Sequence, residues 1–399
     1  VNLTILPALL GHGLYGVLGV LLAEVARDCY HLAGHYWSPL IPWHNLHHKA
    51  YRPDLTKTSE ALYRRAELLN DVPEAVFMVA VTALAGWLLN PSLWLGTAYA
   101  VGFLLTSLGR SQGLWADTDL THLPGDLGEP PSRWIVNRTY HWRHHFDRTT
   151  AYFGGTFTVV DQVLGTALSF KNKTIAITGA SGALGTALLA ELSQKGAKLI
   201  ALTTNPDHSF PDGVEVVCWQ LEREAQLSQL LQRVDILILN HGVNVHQDRS
   251  AEAIALSYAV NTWSVWRWLE LFLHTVSESK HRALKEVWIN TSEAEVSPAF
   301  SPLYELSKRA IGDLITLRRL DAPCVVRKLI LGPFRSKLNP IGIMSPRFVA
   351  WAITALAQRD CRNIIVTINP LTYVLFPISE LMRSLYFRLC SRANSTQPN

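Results

Sequence analysis

The sequence predicts a two-part chain: an all-α, integral-membrane domain rich in clustered histidines, followed by a doubly wound α/β domain. Three observations predict it. Residues 1–23 and 75–109 contain no Asp, Glu, Lys or Arg; histidines recur at helical spacing around those runs; and from Lys173 short apolar strands alternate with helical segments. At 399 residues the chain exceeds one ordinary core. The changes in composition place boundaries at 1–170, 171–370 and a tail at 371–399.

Leu3 to Ala23 supplies about 21 uncharged residues, roughly 30 Å as a helix and enough for one span. No basic segment or small-residue cleavage site accompanies it, which predicts a retained span and not a signal peptide. The second run is broken at Asn90-Pro91, so it is expected to fold as a helical hairpin. A hairpin returns the chain to the side it left. Residues 27–70 and 110–170 then share one face, together with Arg27, Lys49, Arg52, Lys57, Arg64, Arg65 and Arg110, and that face is predicted to be cytoplasmic. Five separated cysteines without a CxxC pair agree with a reducing compartment. A net charge of +4 and the lack of any recognisable motif argue against nucleic acid as a partner.

Of fifteen histidines, ten fall within the first 145 residues. His31 and His35 stand at i,i+4; His44, His47 and His48 at i,i+3,i+4; His141, His144 and His145 repeat that second pattern. Each spacing puts imidazoles on one helical face. One HxxHH could equally be a solvated face. Two, with HxxxH ahead of them and an apolar hairpin between, predict convergence on a metal centre, and imidazole suits iron, copper or zinc. His122 is available as a ninth donor, whereas His12, inside the first span, is expected only to satisfy a local hydrogen bond.

The segments "DCYHLAGH", "HNLHH" and "HWRHH", followed by "FTVVDQVLGT", resemble the fatty acid hydroxylase and sterol desaturase superfamily over about residues 5–168. That resemblance implies a membrane enzyme with two Fe ions held by His31, His35, His44, His47, His48, His122, His141, His144 and His145. It also implies O2, a lipid substrate, and an external one-electron donor of ferredoxin or cytochrome type.

Beyond Lys173 the strands read as "TIAIT", "KLIALT", "VEVVC", "DILILN", "EVWIN", "CVVRKLI" and "NIIVTI", with helices between them. "TGASGALG" joins the first strand to a helix: Gly179 permits the tight turn, Gly182 lets backbone approach a pyrophosphate, and Gly185 allows close helix packing. Asn240 and Gly242 follow the fourth strand. Tyr304 and Lys308 lie one turn apart, where an ammonium can favour the phenolate. Ser292, or its neighbour Thr291, can polarise a substrate oxygen. The tail, rich in apolar and basic residues, is expected to be a helix lying on a membrane or packed on the α/β domain.

This set resembles the short-chain dehydrogenase/reductase family, with the extended TGxxGxxG pattern, over about residues 172–340. The resemblance implies a Rossmann-type fold, a catalytic set of Tyr304, Lys308, Ser292 and Asn261, and cofactor contacts from Gly179, Ser181, Gly182, Gly185, Thr204, Asn240, Gly242 and Pro333. No carboxylate stands at Thr203-Thr204-Asn205, which favours NADP(H) over NAD(H). Together the halves predict a bifunctional oxidoreductase: di-iron hydroxylation or desaturation of a lipid, coupled to alcohol/carbonyl interconversion. A fatty-aldehyde-processing enzyme like the plant wax-alkane proteins and a lipid-binding scaffold with inactive sites are the alternatives.

Overall fold

The computed structural model describes residues 5–392, so Leu3 and Thr4 of the expected first span lie outside the described residues. The chain divides into two compact units, Val1–Ala167 and Leu168–Asn399.

In the first unit a single helix, Ile5–Tyr36, continues well past the uncharged run and carries His31 and His35 on its last turns. The predicted hairpin is present as a helix over Glu60–Leu88 and a second over Pro91–Ser111, both long and apolar enough to cross a membrane. Asn90 makes the turn by accepting a hydrogen bond from Ser92 N at 2.9 Å, and His12 Nδ1 forms a hydrogen bond with Ser92 Oγ at 2.6 Å. The first helix crosses the second arm through two glycines: a Cβ on Gly96 would sit 2.1 Å from Gly19 O, and small residues at such a crossing let backbones touch. Leu14, Val17, Leu84, Trp87 and Leu105 point outward. Two largely buried charge pairs lie within these helices, Arg27 Nε with Glu74 Oε1 at 3.1 Å and Arg110 Nε with Glu67 Oε1 at 2.9 Å, since a buried charge is costly without a partner.

Among the described residues of this unit two π-helical turns occur, one inside a long helix at Glu67–Asp71 and one closing a short helix at Arg143–Asp147. Such turns add a residue and re-aim side chains, and they concentrate at functional sites. The segment after the second is clasped by Asp161, whose carboxylate accepts from Phe153 N and Gly154 N at 2.8 Å, Tyr140 Oη at 2.8 Å and Thr166 Oγ1 at 2.5 Å.

The second unit is built on seven strands: β1 Thr174–Thr178, β2 Lys198–Thr203, β3 Val214–Cys218, β4 Ile236–Leu239, β5 Glu286–Asn290, β6 Val325–Leu331 and β7 Asn363–Val366. Their order is β3-β2-β1-β4-β5-β6-β7, and every ladder is parallel. Helices cover both faces, so central strands read as continuous apolar runs, as in the fully buried β4, while β6 is fully buried although it carries Arg327 and Lys328. Arg327 in that strand is tolerated because Glu286 and Asp360 meet it at 2.8 Å. Strand order reverses between β1 and β4, which puts the ligand crevice at their carboxyl ends.

The tail forms a helix, Thr372–Cys390, packed on this sheet unit. Phe376 is buried, and Glu380 accepts from Lys328 at 2.9 Å and Arg319 at 3.1 Å. Val374, Ile378, Leu381, Leu385 and Leu389 form an exposed stripe on the opposite side.

Candidate metal and dinucleotide sites

The nine histidines singled out in the first unit converge, and they divide into two groups. His31, His35, His44, His48 and His144 form one; His47, His122, His141 and His145 form the other; within each group the ligand atoms lie within 4.8 Å of one another. Nε2 atoms meet at 2.9 Å for His31 and His144, 3.1 Å for His35 and His144, 2.8 Å for His44 and His35, and 3.0 Å for His48 and His44. In the second group, His122 and His141 stand at 2.9 Å, and His145 lies 3.1 Å from each. Donors at right angles about a metal with bonds of about 2.1 Å are separated by about 3 Å, so the spacing fits two ions. Five and four nitrogens leave open positions on an octahedral ion.

Outer nitrogens are oriented by other residues. His44 Nδ1 lies 3.1 Å from Asn70 Oδ1, His47 Nδ1 3.5 Å from Asp71 Oδ2, His122 Nδ1 2.7 Å from Asp119 Oδ1, and His144 Nδ1 2.8 Å from Ala151 O. Such partners fix the ring and its tautomer. Tyr51 stacks on His122 at 4.0 Å and donates to Asp119 Oδ2 at 2.7 Å. Burial, then neighbouring imidazoles, hold His141 and His145 well below the ordinary histidine range. They are therefore neutral, as metal ligation demands. For His47 burial works the same way, but the Asp71 carboxylate outweighs it and raises the ring.

Asn70, Asp71, Asp119 and Gly34 were not singled out from sequence. Asp119 sits three residues before His122 and could have been found as a tautomer-setting carboxylate. A Cβ on Gly34 would lie 2.8 Å from His44 Cγ, so this glycine opens the gap through which the second helix delivers its imidazole.

In the second unit a cleft of about 1270 Å³ opens at the carboxyl ends of the strands. Gly179 adopts φ +64°, and a Cβ there would lie 2.9 Å from His241 Cα; one on Gly185 would lie 2.3 Å from Gly179 O. Gly182 is the N-cap of the helix Ala183–Gln194, with no side chain covering its first amides, which is the geometry that receives phosphate. Gly179, Ser181, Gly182, Thr204, Asn240, Gly242 and Pro333 all line the cleft, while Gly185 lies behind it in the helix packing. The residues present therefore fit a dinucleotide. His241 also faces the cleft; burial and the Lys308 charge push its ring down to about 3.

Tyr304, Lys308 and Ser292 line the same cleft, and Thr291 does not. Lys308 Nζ donates to Asn290 O at 2.8 Å, and burial lowers it to about 8 against the Glu295 charge. Burial pushes the Tyr304 phenol above its ordinary value and outweighs the hydrogen bond to Ser292 that pulls it down, so the lowering expected from Lys308 is not seen; the ammonium lies 5.8 Å from the ring centroid. Asn261 does not line the cleft. Fully buried on a third π turn, Ala259–Ser264, it bonds Val243 N and O at 2.8 and 2.9 Å and Ser307 Oγ at 3.0 Å. It thus ties the loop after β4 to the helix bearing Tyr304 and Lys308.

The fatty acid hydroxylase family matches residues 16–166, and the NAD dependent epimerase/dehydratase family matches residues 175–309. A curated relative, the monoglucosyldiacylglycerol epimerase of Synechocystis sp., is 53% identical over 400 residues, covering 95% of this chain and 97% of that protein. The chain belongs to that epimerase's family. It is an enzyme that joins a fatty-acid-hydroxylase-type unit to a nucleotide-binding unit of the epimerase/dehydratase type. Among solved structures, a short chain dehydrogenase from Burkholderia cenocepacia in complex with NADP is 17% identical, with TM-score 0.46, covering 56% of this chain and all of that one. An alcohol dehydrogenase from Thermococcus sibiricus complexed with 5-hydroxy-NADP is 18% identical, with TM-score 0.42, covering 50% of this chain and 96% of that one.

Proposed function

We propose that the second unit inverts a secondary carbinol of the sugar of a glucosyl diacylglycerol, using a tightly held nicotinamide dinucleotide. The observation that carries the reading is Tyr304, Ser292 and Lys308 gathered beside the glycine turn in one cleft, in a chain 53% identical to an epimerase of such a lipid. When bound, the nicotinamide would take a hydride from the carbinol carbon and later return it. Tyr304 receives the hydroxyl proton as the carbonyl forms, and gives it back to that oxygen as the carbinol re-forms with inverted configuration. Ser292 donates to the same oxygen, and Lys308 anchors the nucleotide sugar and shares charge with the phenol. The two half-steps cancel, so no oxidant is consumed. Between them the sugar must turn over, and a cleft of about 1270 Å³ gives it room beyond the roughly 300–1,000 Å³ of ordinary ligand sites. The absence of a carboxylate at Thr203-Thr204-Asn205 supports NADP(H).

This replaces net alcohol/carbonyl interconversion with a redox-neutral cycle. Incubation of purified protein with glucosyl diacylglycerol and NADP or NAD tests it. Nuclear magnetic resonance should show an inverted sugar with no net build-up of reduced cofactor; accumulation of reduced cofactor and an oxidised lipid would restore the dehydrogenase reading.

A second reading is favoured by the nine converging imidazoles. The first unit holds two iron ions, embedded in a bilayer with its histidines on the cytoplasmic side. Bound there, iron would supply O2-dependent hydroxylation or desaturation of a lipid acyl chain, with electrons from an external one-electron donor. The outward apolar helices and the terminal helix stripe support the membrane setting. Metal analysis and oxygen uptake with lipid and a ferredoxin-type donor test it, and metal-replete protein that consumes no oxygen would overturn it.

A further inference from the structure

The same cleft has a polar floor and an apolar mouth. Asn240, Asn290, Ser292, Tyr304 and Lys308 on its lining are buried or half-buried, whereas Phe300 is 91% exposed, Ile341 90% and Ile343 69%, with Lys337 the exposed charge among them. A single exposed apolar side chain is ordinary. Several on two loops around one opening form a patch, and such patches bind something.

The loops are built to hold these side chains out. Asn244 Oδ1 accepts from Ser301 Oγ at 2.6 Å, and Asn244 Nδ2 reaches Leu338 O at 3.5 Å, so one side chain pins the Phe300 loop and the Ile341 loop to the same post. Phe334 and Met344 bridge the base of the second loop, and a Cβ on Gly342 would collide with Phe334 C at 2.1 Å, so that loop is folded tightly on itself with Ile341 at its tip. Phe300 is held at φ +54°, a conformation a bulky residue adopts only under constraint.

We propose that this rim binds the acyl-bearing part of the substrate, with Phe300 and Ile341 as the principal contacts, so that a diacylglycerol lies on the mouth while its sugar enters the polar floor. The inference rests on the epimerase reading and deepens it: the rim makes the second unit selective for long acyl chains over the same sugar on a short-chain glycerolipid. An amphipathic site with polar groups deepest matches a ligand whose reactive end is polar and whose remainder is not. Removing either contact costs apolar burial on the long-chain substrate alone.

The test uses full-length protein in detergent micelles with NADP, and glucosyl diacylglycerol bearing either two palmitoyl or two butyryl chains. In wild-type protein the long-chain lipid has the higher kcat/KM. Phe300→Ser and Ile341→Ser should each lower the long-to-short ratio about tenfold, mainly through KM, with NADP dissociation constants unchanged. A diacylglycerol carrying a diazirine in its acyl chain, with no sugar to turn over, should photolabel residues 298–301 and 338–343. An unchanged ratio in both variants, or labelling that avoids both loops, overturns the rim. Labelling of both loops in protein that epimerises neither lipid upholds the rim and overturns the epimerase reading. A concentration-dependent dimer abolished by Ile341→Ser, with both loops unlabelled, would make the patch a contact between copies and also overturns the proposal.

Discussion

In the first unit the site consists of nine imidazoles delivered by four segments between His31 and His145, whereas the cofactor cradle of the second is largely backbone, shaped by the missing side chains of Gly179, Gly182 and Gly185. The two therefore fail differently. A side-chain site loses a donor when one residue changes; a backbone site is damaged only by adding atoms. They share one device. Each site uses a π turn to place a functional group: Glu67–Asp71 for the carboxylate and amide behind the imidazoles, Arg143–Asp147 for His144 and His145, and Ala259–Ser264 for Asn261.

The largest expected effect sharpens that separation. Tyr304→Phe should lower epimerisation by about 10²–10⁴-fold in kcat, with nucleotide affinity and metal content unchanged, read by product analysis, nucleotide titration and metal analysis on one preparation. Loss of metal from this variant would mean the units do not act independently. Next comes Asp119→Asn. It keeps the shape but removes the charge beside His122 Nδ1, and should weaken metal retention about 10–100-fold under chelator challenge, leaving nucleotide binding intact.

How much of this was legible follows from how each group is specified. Spacing at i,i+3 and i,i+4 identified eight of the nine histidines, because helical periodicity is a local property, whereas His122 stands alone in its segment and was named only as an available donor and through the family resemblance. Spacing did not reveal their division. His47 and His48 go to different groups, as do His144 and His145; neighbours on a helix are rotated about 100° apart, so adjacent imidazoles serve different centres. Asn70 and Asp71 left no such signal, since they come from another helix and a π turn re-aims them. In the second unit the strands were readable as apolar runs and the glycines as a motif. Loops carry no periodicity. Phe300 and Ile341 became visible only when two separated loops were seen around one opening.

Gly34→Ala tests whether the first site tolerates added atoms as poorly as the second. Its Cβ would fall 2.8 Å from His44 Cγ and 3.1 Å from His44 Nδ1. Overpacking of this kind costs about 1–3 kcal/mol, and here the atom that must yield is a ligand ring. A lower Tm and lower metal content should appear together. An unchanged metal content with a lower Tm would show that helix packing relaxes and the imidazole does not.

The smallest effect concerns Lys308, whose burial lowers it to about 8 from the ordinary lysine value of about 10.4. Between those values the unfolded chain binds a proton that the folded chain releases, so stability rises with pH across that window and the burial cost is felt fully below it. Lys308→Met removes the group that titrates, and it should flatten this part of the stability profile measured by denaturant unfolding from pH 8 upward. Bound dinucleotide should act the same way in wild-type protein, because phosphates and ribose hydroxyls beside the ammonium raise its pKa toward the unfolded value. If nucleotide leaves the slope unchanged, Lys308 does not contact the bound cofactor, and its hydrogen bond to Asn290 O is a structural one that joins the helix to the end of β5.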